Sequence, residues 1–96
     1  MALLFEWDDG KAAENLRKHG VSFEEAATTF ADPMSLTIDD PPHSENEERF
    51  IIMATSLRDR LLVTAFTERG EHIRLINSRR ASSPELEQYE QRLKES

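Results

Sequence analysis

The stretch FIIMATSLRDRLLVTAFTERGEHIRLINS, residues 50–78, decides the predicted fold. Phe50–Ala54 and Leu61–Phe66 are almost continuously apolar, a pattern typical of central strands that are covered on both faces. Ile73–Ser78 follows as a third strand, and short polar turns separate the three. Strands joined by such short turns pair with their neighbours in sequence, so the stretch predicts an antiparallel meander.

The segment before the meander predicts a strand followed by two capped helices. Leu3–Trp7 is short, apolar and aromatic, as expected of a strand. Asp8 or Asp9 caps the first helix, and Gly20 ends it because glycine readily adopts the left-handed conformation needed there. The predicted apolar stripe of this helix consists of Ala12, Ala13 and Leu16.

The second helix has several start signals that agree. Ser22 is the predicted N-cap, Glu25 follows as its capping-box partner, and Val21 is placed to pack against Ala26. One side of the helix is predicted to be buried, with the stripe Phe23, Ala26, Ala27 and Phe30. Asp32-Pro33 stops the helix.

The remaining segments complete an α+β architecture. Alternation of apolar and polar residues predicts a half-buried strand at Met34, Leu36 and Ile38. Residues 39–48 form a polar loop, and Ser82 or Ser83 caps a last helix with the apolar line Leu86, Tyr89 and Leu93. The predicted order is written β-α-α-β-β-β-α. We expect one domain over residues 1–96, with helices packed on an antiparallel sheet.

Length and composition exclude several classes of protein. A chain of 96 residues has material for only one core. It contains no cysteine, which removes disulfides and thiolate metal sites and fits a reducing compartment. No apolar run reaches the roughly 18 residues of a membrane span, and no basic region opens a secretory signal. The sequence therefore predicts a cytoplasmic protein.

Charge is distributed unevenly along the chain. The net charge is −7, yet residues 49–80 hold seven basic and three acidic side chains, against three and twelve in residues 1–48. Guanidinium groups bind phosphate through two parallel hydrogen bonds and keep their charge, so arginines of this segment are candidates to bind a nucleic acid. The candidates are six of its seven arginines: Arg49, Arg60, Arg69, Arg74, Arg79 and Arg80. Strand alternation puts Arg74 and Arg79 on opposite faces, unless a bulge intervenes. The acidic excess elsewhere suits a basic protein partner.

The first helix predicts a polar face near its end. At 100° per residue, one arc of roughly 100° holds Lys11, Asn15, Lys18 and His19. A purely structural interpretation is also open, because cations in the last turn of a helix complement its dipole. The other histidines, His43 and His72, are interpreted as incidental, and their scatter predicts no metal site. We expect no cofactor.

Motifs along nearly the whole chain resemble the BrnT family of bacterial toxins. The N-terminal block comprises Phe5-Glu6-Trp7-Asp8, Lys11, Asn15 and Lys18-His19-Gly20-Val21-Ser22-Phe23. Further matching motifs are Phe23-Glu24-Glu25-Ala26, Phe30-x-Asp32, Arg49, Arg60-Leu61-Leu62-Val63, Phe66-Thr67-x-Arg69, Ile73-Arg74-Leu75-Ile76, Arg79-Arg80-Ala81 and Glu85-x-x-x-Tyr89. The chain departs from the usual pattern at Ala54, where the family has Gly, and at Ile76-Asn77-Ser78-Arg79, where it commonly reads Ile-Ser-Ala-Arg.

The resemblance implies a fold, an activity and a partner. The fold would be RelE/ParE-like, and the activity would be RNA cleavage that stops translation. The partner would be a BrnA-type antitoxin with a ribbon-helix-helix DNA-binding part, so that DNA is contacted only through the antitoxin. The alternative is a catalytically weak or inactive binding module of the same fold, which docks the antitoxin and takes part in autoregulation.

For an RNA substrate the ribose 2′-hydroxyl can attack the neighbouring phosphate, so no nucleophilic side chain is needed. His19 is the candidate for proton transfer because imidazole gains and loses protons near neutral pH, and Lys18 is the alternative. The candidates to stabilise charge on the phosphate are Arg49, Arg74 and Arg79. The candidate RNA-binding residues are Lys11, Arg60, Arg69, Arg80 and Tyr89. Tyr89 either stacks on a base or packs the last helix.

Overall fold

The structure, a computed structural model of the chain, describes residues 3–40 and 47–95. His43 and most of the predicted polar loop lie outside these residues. In chain order the elements are β1 (Leu4–Glu6), α1 (Asp9–His19), α2 (Phe23–Thr28), a 3-10 turn (Thr29–Ala31), β2 (Leu36–Asp39), β3 (Arg49–Thr55), β4 (Leu61–Arg69), β5 (His72–Arg80) and α3 (Ser83–Glu95). Within the described ranges, no helix has the length and apolar character needed to cross a bilayer.

The five strands form one sheet in the order β1-β5-β4-β3-β2. The α+β class and the antiparallel meander β3-β4-β5 are confirmed. Two details of the prediction are wrong. The order β-α-α-β-β-β-α is one strand short, because β2 pairs with β3 as a separate edge strand. The sheet is also not wholly antiparallel, since α1 and α2 carry the chain across one face and leave β1 parallel to β5 at the opposite edge.

The sheet has a core on each face. On the α1–α2 face, Phe23 of α2 packs in one cluster with Ile52, Phe66 and Leu75 from three neighbouring strands. On the other face, called the α3 face, the cluster consists of Met53, Val63 and Tyr89. This arrangement confirms that the central strands are covered on both sides.

The predicted helix ends are confirmed by their hydrogen bonds. The Asp8 carboxylate accepts from the Lys11 amide at 2.9 Å, and Gly20 takes a left-handed φ of 68°. The Ser22 hydroxyl accepts from the Glu25 amide at 3.0 Å. Only half of the predicted capping box forms, because the Glu25 carboxylate turns toward Arg60 instead of back to Ser22.

The predicted apolar stripe of α1 is wrong. Ala13 is exposed and Leu16 is 52% exposed, whereas Asn15 is only 5% exposed and Ala12 packs against the core. The Asn15 amide donates to the Val21 and Ser78 carbonyls at 2.9 and 2.8 Å and accepts from the Ser78 amide at 3.0 Å. Because β1 pairs only with the first part of β5, the Asn15 side chain takes the place of a neighbouring strand at Ser78.

We expect Asn15→Ala to destabilise the fold by about 2–3 kcal/mol, because buried backbone groups of Val21 and Ser78 lose their partners. Leu16→Ala should cost much less, since Leu16 is half exposed. Urea unfolding of both variants measures the difference. A larger loss for Leu16→Ala would contradict the assignment and restore the stripe predicted from sequence.

Candidate functional site

A bulge in β5 decides which arginines share a face. Ala65 pairs with Asn77, but the next residue, Phe66, pairs with Leu75, so Ile76 is the extra residue. The alternation of side chains therefore changes at Ile76. Without the bulge, Arg74 and Arg79 would lie on opposite faces, and with it both lie on the α3 face.

Two of the candidate arginines line one small hollow on the α3 face. This arginine hollow has a volume of about 190 Å³ and contains both Arg49 and Arg79. Its apolar floor comes from Ile51, Val63 and Ala65, and its remaining polar members are Asp40 and Asn77. Two guanidinium groups above a partly apolar floor make a place where a phosphate would be held strongly.

A second, larger hollow lies beside α1. This α1 hollow has a volume of about 550 Å³, and Ile76 and Asn77 form its wall on β5. Its polar lining from the start and body of α1 comprises Asp8, Lys11, Glu14, Asn15, Lys18 and His19. The four residues predicted to share a polar face of α1 therefore do line one hollow, although the amide of Asn15 is committed to Val21 and Ser78.

His19 does not share a hollow with Arg49 and Arg79. Of the residues that the structure describes, the two hollows share a single lining residue, Asn77. Any chemistry that uses His19 together with the two arginines must therefore take place along the wall that Asn77 forms.

Arg79 is held by an acidic residue at the start of α3. Its Nη1 and Nη2 donate to the two carboxylate oxygens of Glu85 at 2.8 and 2.9 Å. Glu85 also accepts from the amide and hydroxyl of Ser82 at 2.8 and 3.0 Å, which closes a capping box at the predicted helix start. The Arg79 guanidinium, followed by these bonds from Ser82, lowers the pKa of Glu85 to about 2.

Comparison with protein families identifies the chain. The family model described as "Ribonuclease toxin, BrnT, of type II toxin-antitoxin system" matches residues 7–85. This protein belongs to the BrnT family. The match spans both hollows and includes Arg49, Arg79 and Glu85, so the resemblance seen in the sequence is confirmed over the part of the chain that builds the candidate site.

A solved structure of the family has the same fold. The 1.1 Å crystal structure of the Brucella abortus ribonuclease toxin BrnT is similar with a TM-score of 0.62 and 19% sequence identity. The alignment covers 85% of this chain and 100% of that chain. At this level of identity the likeness shows the fold alone. No curated protein matches the sequence.

The other candidate arginines of this BrnT-family protein line neither hollow. Arg60 is paired with the buried Glu25, Arg69 with Glu47 and Arg74 with Glu6. Arg74 shares the α3 face, but its partner belongs to the edge strand β1. Arg80 lines a separate hollow that also contains Arg60. The structure therefore places none of these four arginines in the hollow of Arg49 and Arg79. Arg74 nevertheless lies level with Arg49 across Thr67, and the Glu47 carboxylate that pairs with Arg69 also interacts with both of them.

Tyr89 packs the last helix, which is one of the two roles that the sequence left open. It is 6% exposed, and its hydroxyl donates to the Asp32 carboxylate at 2.5 Å. Burial and this hydrogen bond raise the pKa of Tyr89. Burial opposes ionisation of Asp32, yet donors from Thr55, Tyr89 and Met34 outweigh it and lower its pKa. A ring held in this way is not exposed for a base to stack on.

Two residues of the arginine hollow were missed as candidates. Asn77 is an exposed residue between the bulge at Ile76 and the buried Ser78. Because residues two apart on a strand share a face, its position two residues before Arg79 could have indicated it as a candidate. The sequence placed Asp40 only within the predicted polar loop at residues 39–48. It lies beside Arg49 because its amide donates to the Arg49 carbonyl at 2.9 Å, directly after β2 ends.

The Arg79–Glu85 pair should make stability depend on pH. Because the pKa of Glu85 is lower in the folded state, its contribution is complete above the unfolded value near 4.5 and disappears as the pH falls toward 2. We expect Glu85→Gln to cost about 1–2 kcal/mol at pH 7, discounted because the Arg79 side chain is 45% exposed, and only about a quarter of that at pH 2.5. Urea unfolding at several pH values between 7 and 2.5 measures how the difference in stability between the native protein and Glu85→Gln becomes smaller. The control is Glu87→Gln, which changes an exposed residue of the same helix. A stability difference between the native protein and Glu85→Gln that stayed constant with pH would contradict the assigned role of the Arg79–Glu85 pair.

Proposed function

We propose that this BrnT-family protein is a metal-independent endoribonuclease toxin that blocks translation by cutting RNA in the cytoplasm. The observation that carries the proposal is the convergence of Arg49 and Arg79 in one hollow, next to a second hollow that holds Lys11, Lys18 and His19. An RNA strand crossing the wall at Asn77 would place its phosphate near the arginines and its ribose near the α1 side chains.

The reaction follows from the chemistry of RNA. The 2′-oxygen attacks the adjacent phosphorus as His19, or alternatively Lys18, accepts its proton. The bond from phosphorus to the 5′-oxygen breaks, and that oxygen takes a proton from water as it leaves. The products are a 2′,3′-cyclic phosphate and a 5′-hydroxyl. Arg49 and Arg79 stabilise the negative charge that grows on the phosphate oxygens.

The proposed partner is an antitoxin of the BrnA type with a ribbon-helix-helix DNA-binding part. A type II toxin is paired with a protein antitoxin, and the net charge of −7 favours a basic surface on that partner. Contact with DNA would then occur only through the antitoxin.

The purified protein tests the activity directly. We expect it to cut single-stranded RNA in the presence of EDTA and to leave 2′,3′-cyclic phosphate ends. A substrate with deoxyribose at the cleaved position should resist, because it lacks the attacking hydroxyl. Cleavage that required a divalent cation, or that continued on the deoxy substrate, would overturn the mechanism.

One observation favours the alternative, an inactive module that binds the antitoxin and takes part in autoregulation. Both Nη groups of Arg79 are already bound to Glu85, so phosphate must compete with a carboxylate for that guanidinium. An inactive module would form the antitoxin complex but leave every RNA uncut, also in the variant Glu85→Gln. Cleavage by the native chain would exclude this alternative.

A further inference from the structure

Among the described residues, Asn77 alone lines both hollows, and its side chain is available to a ligand. It is exposed, and within residues 3–40 and 47–95 no hydrogen bond reaches its carboxamide. An exposed amide without a protein partner is hydrated and can exchange its water for a ligand.

The position of Asn77 is fixed by its neighbours. The preceding residue, Ile76, forms the bulge, and the following residue, Ser78, is fully buried. Asn15 binds the amide and the carbonyl of Ser78, and the Ser78 hydroxyl lies 2.8 Å from that of Thr64. A side chain on such a rigid backbone can discriminate between ligands, because little entropy is lost when it binds.

The charges on the two sides of Asn77 indicate what the amide meets. On one side lie the guanidinium groups of Arg49 and Arg79 beside the acid Asp40. On the other side lie Lys11 and Lys18 with the acids Asp8 and Glu14, and Glu14 pairs with Lys18 at 3.3 Å. If a phosphate lies in the smaller arginine hollow, the attached nucleoside lies beside Asn77 and is directed toward the larger α1 hollow. A neutral carboxamide offers a donor and an acceptor together, which is the pattern that reads the edge of a base.

We propose that Asn77 determines base preference, by hydrogen bonding to the base edge of the nucleotide whose phosphate lies in the arginine hollow. This inference rests on the proposed ribonuclease function. Asn77 contacts the substrate but transfers no proton, so its removal affects which bonds are cut more than whether any bond is cut.

The test compares the native protein with Asn77→Ala and with the control Gln91→Ala, which removes an exposed amide on α3. Single-stranded RNA of mixed sequence is cleaved, and sequencing of the ends gives the base preference. We expect Asn77→Ala to lower kcat/KM at the preferred base by about tenfold and to bring the other bases to a similar rate. Thermal unfolding should show unchanged stability, because Asn77 is exposed.

A second variant separates hydrogen bonding from shape. Asn77→Asp keeps the size of the side chain but places a carboxylate beside Arg49 and Arg79, so it should lose more activity than Asn77→Ala on every base. An unchanged base preference in both variants would overturn the inference while leaving the ribonuclease function intact.

Binding to RNA that carries 2′-O-methyl ribose, which cannot be cut, provides a measurement that does not depend on cleavage. We expect Asn77→Ala to lose affinity for the preferred sequence and to keep its affinity for the others. If the native protein cuts no RNA but shows this difference in binding, the proposed catalysis fails and the role of Asn77 stands. If it neither cuts nor binds RNA, both proposals fail.

Discussion

Expression of the native chain should halt growth, and the double variant Arg79→Glu, His19→Ala should lose this ability. Loss of one group that stabilises charge on the reacting oxygens costs about 10²–10³ in rate, and loss of a general base costs a similar factor. In addition, glutamate at position 79 repels the phosphate from the arginine hollow. We expect cleavage of RNA by the purified variant to fall by at least about 10³-fold.

The controls distinguish lost chemistry from a lost fold. Arg79→Glu removes the partner of Glu85, so Glu85→Gln alone measures what breaking that pair costs in stability. Lys94→Glu reverses the charge of an exposed residue of α3 and should leave growth arrest unchanged. If the folded double variant still arrested growth, the assigned site would be wrong. If the single variant His19→Ala kept full activity, Lys18 would become the proton acceptor.

Glu25→Ala should destabilise the fold more than Asn15→Ala or Glu85→Gln. The Glu25 side chain is 4% exposed and that of Arg60 is 20% exposed. Arg60 Nε donates to Glu25 Oε2 at 2.9 Å, its Nη2 contacts Oε1, and Ser56 Oγ donates to Oε2 at 2.7 Å. The hydrogen bond from Arg60 lowers the pKa of Glu25 despite its burial. Removing the carboxylate leaves a largely buried guanidinium without its partner, and we expect a loss of about 3–5 kcal/mol.

Such a loss is a large share of the roughly 5–15 kcal/mol that typically stabilises a small domain, so the variant should unfold at far lower urea concentration. Glu24→Ala changes an exposed acid of the same turn and serves as the control, with little expected effect. Replacing both partners, as Glu25→Leu with Arg60→Met, should recover much of the stability, because no uncompensated charge remains. A double variant no more stable than Glu25→Ala would show that packing, and not the unpaired charge, causes the loss.

The candidate site was only partly predictable. The arginine-rich segment and the polar face of α1 are local features, and both line hollows in the structure. Which arginines share a hollow depends on the bulge at Ile76, which changes the face of Arg79 relative to Arg74. The sequence pattern around Ile76 allows a regular strand as well as a bulged one. Asn77 was not recognised as a candidate, because its importance comes from lining both hollows.

The sequence by itself determined the features that depend on nearest neighbours: the caps at Asp8, Gly20 and Ser22, and the strand pattern of the meander. These are set within a few residues by hydrogen bonds, permitted dihedral angles and side-chain alternation. Only the tertiary structure decided the parallel pairing of β1, the burial of Asn15 and the pairing of Glu25 with Arg60. Each of these joins residues far apart in the chain, and a polar side chain is buried only where a distant partner compensates its lost hydration. That partner becomes known only when the chain has folded.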